Sequence, residues 1–245
     1  MFERGVCSSR QRCKALIMGN KVRVDGTPVT KSGQLVDESS EIVLTQEDIG
    51  FVSRGGLKLD YAINEFNVTI DGLICMDVGV STGGFTDCLL KRGAQRVYAI
   101  DVGYGQIAWS IRNDKRVVIF ERTNIREFSA DNITESINLV VIDVSFISLT
   151  KVMPSVLKFM TEGGQIIALI KPQFEVGKGR VGKGGIVRDE QIRASAVEGI
   201  KGFFIEIGLE VRGICQSPIT GQKGNVEYFI YGFYEARRRK YEEKI

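Results

Sequence analysis

From residue 73 onward the chain reads as short, continuously apolar runs separated by helical or loop segments. The runs are residues 73–78, 97–101, 117–120, 139–143 and 165–170, with helical patterns at 85–92 and 151–160 among the segments between them. A helix near 189–207 then leads to two further runs near 209–215 and 226–234. Strands that are apolar throughout, rather than alternating, belong in a sheet covered on both faces. Crossover segments of this kind imply parallel pairing. The pattern therefore predicts an α/β domain built on a seven-stranded sheet.

Ahead of that alternation the composition changes. Arg4, Arg10, Arg12, Lys14, Lys21, Arg23 and Lys31 crowd the start, and Asp37, Glu38, Glu41, Glu47 and Asp48 follow. One face of residues 1–48 can be positive although the net charge of the whole chain is only +3. Ser8 or Ser9 can cap a helix through Met18, and Gly19-Asn20 suits its end. Lys21-Val22-Arg23-Val24 then alternates, Asp25-Gly26 turns, and Glu41-Ile42-Val43-Leu44 returns as a strand. The predicted organisation is a small α+β domain over 1–48, a linker over 49–55, and a large α/β domain over 56–245.

The chain contains no histidine. That removes Ser-His-Asp and Cys-His catalysis, histidine general bases and most zinc sites, and no metal is expected. Proton transfer falls to Lys, Asp, Glu, Tyr or Cys. The five cysteines form no Cys-x-x-Cys pair, so Cys7, Cys13, Cys75, Cys88 and Cys215 are expected to be free, mostly buried thiols in a reducing compartment. No secretory signal pattern and no membrane-length apolar window is present, which points to a cytoplasmic protein.

Chemistry-bearing residues gather at the predicted strand ends. The first strand ends in Asp77-Val78-Gly79-Val80-Ser81-Thr82-Gly83-Gly84-Phe85, a turn that lets backbone approach a ligand. The spacing is not Gly-x-Gly-x-x-Gly, and an acidic residue here suits a cationic amino-acid moiety better than a pyrophosphate. Asp101, followed by Val102, ends the second strand and could accept from ribose hydroxyls. A tight βα turn with a capping aspartate is the plainer alternative. Asp143 ends the fourth strand and Lys171 the fifth, and these strands flank each other in a doubly wound sheet. Lys171 could act as a base oriented by Asp143, or the two could simply staple the strand ends. Lys58 and Glu227, read alone, are a solvated helix residue and an edge-strand charge. Residues 177–188 are too glycine-rich for stable secondary structure. Their cations Lys178, Arg180, Lys183 and Arg188 suit phosphate contacts by a loop that orders on binding.

The motifs taken together resemble the TlyA-type haemolysin A family, an S4 domain fused to an FtsJ-like ribose methyltransferase. The resemblance rests on Val52-Ser53-Arg54-Gly55-Gly56-Leu57-Lys58-Leu59, Ser81-Thr82-Gly83-Gly84-Phe85-Thr86 and Asp101-Val102-Gly103-Tyr104-Gly105-Gln106. It continues through Glu121-Arg122-Thr123-Asn124, Ser145-Phe146-Ile147-Ser148-Leu149, Lys171-Pro172-Gln173-Phe174-Glu175 and Gly224-Asn225-Val226-Glu227-Tyr228. The series runs nearly the length of the chain. It implies a Rossmann-like methyltransferase sheet, mostly parallel with one antiparallel strand, behind an α+β S4-like domain. It also implies S-adenosylmethionine as cofactor, bound by Asp77, Gly79, Ser81, Thr82, Gly83, Gly84, Phe85, Asp101 and Val102. A catalytic tetrad is implied at Lys58, Asp143, Lys171 and Glu227, with Lys171 helping to deprotonate a ribose 2′-hydroxyl. The implied substrate is cytidine in ribosomal RNA, met as free RNA or within ribosomal subunits. Arg10, Arg12, Lys14, Lys21 and Arg23 would contact its phosphates. The family carries more residues ahead of the stretch matching Phe2-Glu3-Arg4-Gly5, so a shortened first S4 helix is expected.

Three other functions share parts of this pattern. An NAD-dependent oxidoreductase shares the fold but needs the pyrophosphate glycine spacing. A membrane-active haemolysin needs a span or a strongly amphipathic basic helix. A non-catalytic RNA-binding or ribosome-assembly factor needs no tetrad.

Overall fold

The computed structural model describes residues 1–7, 9–45 and 50–235, and the side chains of 11, 12, 15 and 178 fall outside that description. The chain divides into two compact units, Met1–Phe51 and Val52–Ile245.

In the smaller unit, helix α1 (Arg10–Met18) packs Cys13 and Leu16 inward beside Val22. Asn20 takes a left-handed φ of 56° where the helix stops, and its N–H donates to Ile17 O. Strand β1 (Val22–Val24) turns through Asp25 and Gly26, both at positive φ, into β2 (Thr27–Pro28). Positive φ at both central positions is what a tight hairpin requires. Strand β3 (Ile42–Leu44) pairs antiparallel with the other side of β1. The short β2 had no signal in the sequence.

One expectation fails here. Cys7 and Cys13 are not free thiols: they form a disulfide with a Cα–Cα separation of 5.9 Å. The chain ahead of α1 folds back onto the helix, which brings Cys7 over the first inward-facing position. An odd cysteine count had hidden the pair. Cys75 and Cys88 are free and buried, and Cys215 is free and half-buried.

The larger unit opens with helix α2 (Arg54–Glu65), whose buried positions Gly56, Leu59, Ala62 and Ile63 recur at helical spacing. Strands and helices then alternate: β4 (Ile74–Val78), α3 (Gly84–Lys91), β5 (Arg96–Ile100), α4 (Trp109–Arg112), β6 (Val117–Phe120), β7 (Ile137–Ile142), α5 (Leu149–Val156) and β8 (Met160–Ile170). Helices α6 (Pro172–Glu175) and α7 (Glu190–Glu206) precede β9 (Leu209–Gln216) and β10 (Tyr228–Tyr234). The sheet order is β6-β5-β4-β7-β8-β10-β9. Strands β4 to β8 pair in parallel, and β10 runs antiparallel to both β8 and β9. This is the seven-stranded, mostly parallel sheet with one reversed strand.

The core sits on both faces of the central strands: Met76, Val140, Ile142, Ile166 and Ala168 are fully buried on one, and Cys75, Leu139, Val141 and Ile167 on the other. The order reverses at β4, so the carboxyl ends of β4, β5, β7 and β8 line one edge. In such sheets that edge is where ligands bind.

Candidate active site

Two lysine–carboxylate pairs form at this edge. Asp143 follows β7 and Lys171 follows β8. Lys171 Nζ lies 2.6 Å from Asp143 Oδ1 and donates a hydrogen bond to Ser145 Oγ at 2.9 Å. Strand β8 runs two residues beyond the last β7 pairing, Ile142 opposite Ala168, so Lys171 comes out beside the segment that carries Asp143 and Ser145. Lys58 projects from the inward face of α2, and its Nζ donates to Glu227 Oε2 at 2.5 Å. Lys58 and Glu227 are 8% and 3% exposed, so their reading as a solvated helix residue and an edge charge is wrong. Glu227 lies just ahead of β10, which is interior to the sheet, not at its edge. The β10–β8 ladder ends with Tyr228 opposite Ile170, so the next residues outward are Glu227 and Lys171. The reversed strand thus brings the second pair to the first.

Two carboxylates on the other side of the edge have no such partner. Asp77, at the end of β4, is fully buried, and Thr86 Oγ1 donates to its Oδ2 at 2.6 Å. Its Oδ1 is buried without a hydrogen-bond partner. Burial pushes its pKa up to about 7. The Thr86 hydrogen bond opposes that shift, and the nearby Asp143 and Asp101 charges add to it. Asp101 accepts from the N–H groups of Ser81 (2.7 Å) and Gly103 (2.6 Å). It ties the β4 turn to the β5 turn while remaining half-buried.

The glycines between them are set by close packing as well as by turning. Gly79 sits at φ 93°, and a Cβ there would lie 2.6 Å from the backbone oxygen of Asp143. The β4 turn therefore presses against the segment that carries Asp143. At Gly84 a Cβ would fall 2.9 Å from Gly56 N, so α3 and α2 approach backbone to backbone. Gly83 at φ 96° starts α3, Phe85 is buried, and Ser81 and Thr82 are exposed. Val102 is 73% exposed beside Asp101.

A family model for FtsJ-like methyltransferases matches residues 51–234, and one for S4 domains matches residues 1–42. A Mycobacterium tuberculosis protein named 16S/23S rRNA (cytidine-2′-O)-methyltransferase TlyA is 46% identical over 232 residues, covering 94% of this chain and 87% of its own. The chain belongs to the TlyA-type family. A Brachyspira hyodysenteriae relative named Hemolysin A is 40% identical over 228 residues, covering 93% of this chain and 95% of its own. A solved Streptococcus thermophilus structure that also carries a hemolysin name is 39% identical with a TM-score of 0.77, over 96% of this chain and 86% of that one. Among the described residues no helix is long and apolar enough to cross a membrane, and no cluster of acidic or sulfur ligands could hold a metal ion.

In this TlyA-type chain the N-terminal cations Arg10, Lys14, Lys21 and Arg23 are exposed. Arg10 pairs with Glu3 at 3.2 Å, and Arg23 donates to Gly26 O. The side chains of Arg12 and Lys178 lie outside the described residues. Arg180 and Lys183 are exposed on the glycine-rich loop. That loop is more ordered than its composition suggested. It contains two 3-10 turns, Lys178–Arg180 and Lys183–Gly185, and a bridge between Gly182 and Ile186.

Sequence reasoning passed over three residues beside the pairs. Ser145 holds Lys171. Glu175 accepts from Ser148 Oγ (2.5 Å) and Leu149 N–H (3.0 Å), so the Lys171 motif caps helix α5, and burial pushes the Glu175 carboxyl up. Phe146 is 88% exposed at a left-handed φ of 63°, with its ring 5.2 Å from Phe174. An exposed ring held in a strained backbone offers a stacking face for a nucleobase. The signal for all three was position: each lies within five residues of a strand end.

Proposed function

We propose that this chain transfers the methyl group of S-adenosylmethionine to the ribose 2′-hydroxyl of a cytidine in ribosomal RNA. The observation that carries this reading is the convergence of Lys171–Asp143 and Lys58–Glu227 at one edge of the sheet. The donor supplies an electrophilic sulfonium methyl, so the protein needs to align the reactants and manage one proton. Lys171, as the free amine, takes the proton from the 2′-hydroxyl and becomes an ammonium. Asp143 and Ser145 are already placed to hold that ammonium. Lys58 and Glu227 neutralise each other and keep a fixed charge pattern next to the reacting oxygen.

The chain's own residues suit such a donor. The orphan buried oxygen of Asp77 is an acceptor that a cationic amino-acid group would satisfy directly or through water. Asp101 retains lone pairs for ribose hydroxyls, and exposed Val102 offers an apolar face beside them. Metal assistance is not required by this chemistry. Residues 1–48, with their exposed cations, would dock on RNA through phosphates, which positions the enzyme without reading sequence. The larger unit, Val52–Ile245, would carry the reaction.

The test is mass-spectrometric mapping of ribose methylation on rRNA from cells with and without the gene. One or two cytidine 2′-O-methyl marks are expected to vanish and to return with the wild-type gene but not with Lys171→Ala. Marks that persist without the gene, or that Lys171→Ala restores, would overturn the reading.

A further inference from the structure

The glycine-rich loop 177–188 carries exposed Arg180, Lys183 and Arg188. Three of its hydrogen bonds are its own: Arg180 N–H to Gly177 O, Gly182 N–H to Ile186 O, and Gly185 N–H to Gly182 O. Gly184 and Gly185, both near φ 80°, shape the turn. Arg193 of α7 donates to Val187 O and Arg188 O at its far end. Among the described residues, its hydrogen-bonded tie toward the catalytic edge is one side chain. Asn225 Oδ1 accepts from Val187 N–H at 3.0 Å, and Asn225 Nδ2 donates to Gly185 O at 2.8 Å. A neutral amide offers a donor and an acceptor at the spacing these two backbone groups present. Asn225 is 3% exposed, so it is spent on the loop rather than offered to a ligand.

The same residue belongs to the turn that delivers Glu227. Asn225 O accepts from Gly221 N–H, and Gly224 N–H donates to Gly221 O. Gly221 lies against the acid itself, since a Cβ there would fall 2.4 Å from Glu227 Oε1. Arg54, four residues before Lys58 on α2, donates to Thr220 O in this turn. One short segment therefore touches the cation-bearing loop, the acid of the second pair and the helix of its lysine.

We propose that Asn225 is a positioning residue that locks the basic loop to the Glu227 turn, so that RNA phosphates gripped by the loop register the target ribose against the catalytic pairs. The inference rests on the methyltransferase reading above and adds the means by which substrate grip reaches the site. Asn225 touches no reacting atom, so its loss acts on substrate engagement and leaves the donor pocket alone.

The experiment follows methyl transfer from tritiated S-adenosylmethionine to ribosomal subunits purified from cells lacking the gene. Asn225→Ala should raise KM for the subunit about tenfold, the scale of losing a buried hydrogen-bonded amide. Donor affinity by calorimetry should stay unchanged. An Arg180→Ala/Lys183→Ala variant should raise the same KM, and adding Asn225→Ala to it should raise it further by less than the product of the two effects. Asn225→Asp keeps the acceptor and loses the donor. If Asn225→Ala fails to fold, the Asp variant should still be cut faster than wild type by trypsin at Arg180, Lys183 and Arg188. An unchanged KM in a folded variant, fully multiplicative losses, or an unchanged cleavage rate would each overturn the proposal. Wild type that methylates neither subunit would instead sink the parent reading, and the trypsin comparison would still decide the clamp.

Discussion

The two halves of the candidate site's edge treat their acids in opposite ways. On the β7–β8–β10 side, Asp143 and Glu227 each hold a lysine. On the β4–β5 side, neither Asp77 nor Asp101 pairs with a cation among the described residues. Asp101 is held by backbone N–H groups, and Asp77 keeps one buried oxygen without a hydrogen-bond partner. A buried carboxylate that its own protein leaves uncompensated is costly. It is a place where a positively charged ligand gains more than in water. The compensated half is suited to handling a proton; the uncompensated half is suited to receiving a cation.

The largest effect should come from the compensated half. Lys171→Met removes the proposed proton acceptor, and kcat should fall by about 10²–10⁴-fold. Donor affinity by calorimetry should stay within about twofold. A matching loss of donor binding would erase the division between the halves. Next, Lys58→Met or Glu227→Gln alone leaves one buried charge unpaired, which should cost about 3–5 kcal/mol by denaturant titration. The double substitution should recover most of that stability and none of the activity. Recovery of activity would show that the second pair is only a staple.

The uncompensated half gives a sharper comparison through pH. Asp77 has its folded pKa raised to about 7 from an ordinary 3.8. Its contribution to apo stability is therefore full below the ordinary value and is lost as pH rises through about 7. Binding a cationic donor reverses the preference, because the ionised carboxylate is then favoured. Donor affinity should strengthen between pH 6 and 8 in wild type, and Asp77→Asn should flatten that dependence. A pH-independent affinity in wild type would remove Asp77 from the cation site. The smallest effect is expected at Glu175→Ala, which uncaps α5. Loss of such a cap costs about 0.5–2 kcal/mol, and a melting curve would measure it.

How much of this could be read in advance depended on separation along the chain. Asp143 and Lys171 were visible because both follow apolar runs whose neighbours the alternation of strands and helices dictates. Lys58 and Glu227 are 169 residues apart, on a helix outside that alternation and at the mouth of a reversed strand. Nothing in local pattern places them together, and the family resemblance alone pointed to both. The packing constraint on Gly84 was hidden for the same reason: it comes from Gly56, on a different helix. The Cys7–Cys13 bond was missed because pairing depends on how the chain folds back ahead of α1. The burial of Asp77 was implied by its apolar strand, but the orphaned oxygen required coordinates.

The reversed strand β10 has a consequence for synthesis. It is inserted between β8 and β9, and the residue that satisfies Lys58 arrives with it. Until that last piece threads into place, a nascent polypeptide has an amine on α2 with no counter-charge. A polypeptide that stops before β10 would therefore lack the carboxylate that faces Lys58.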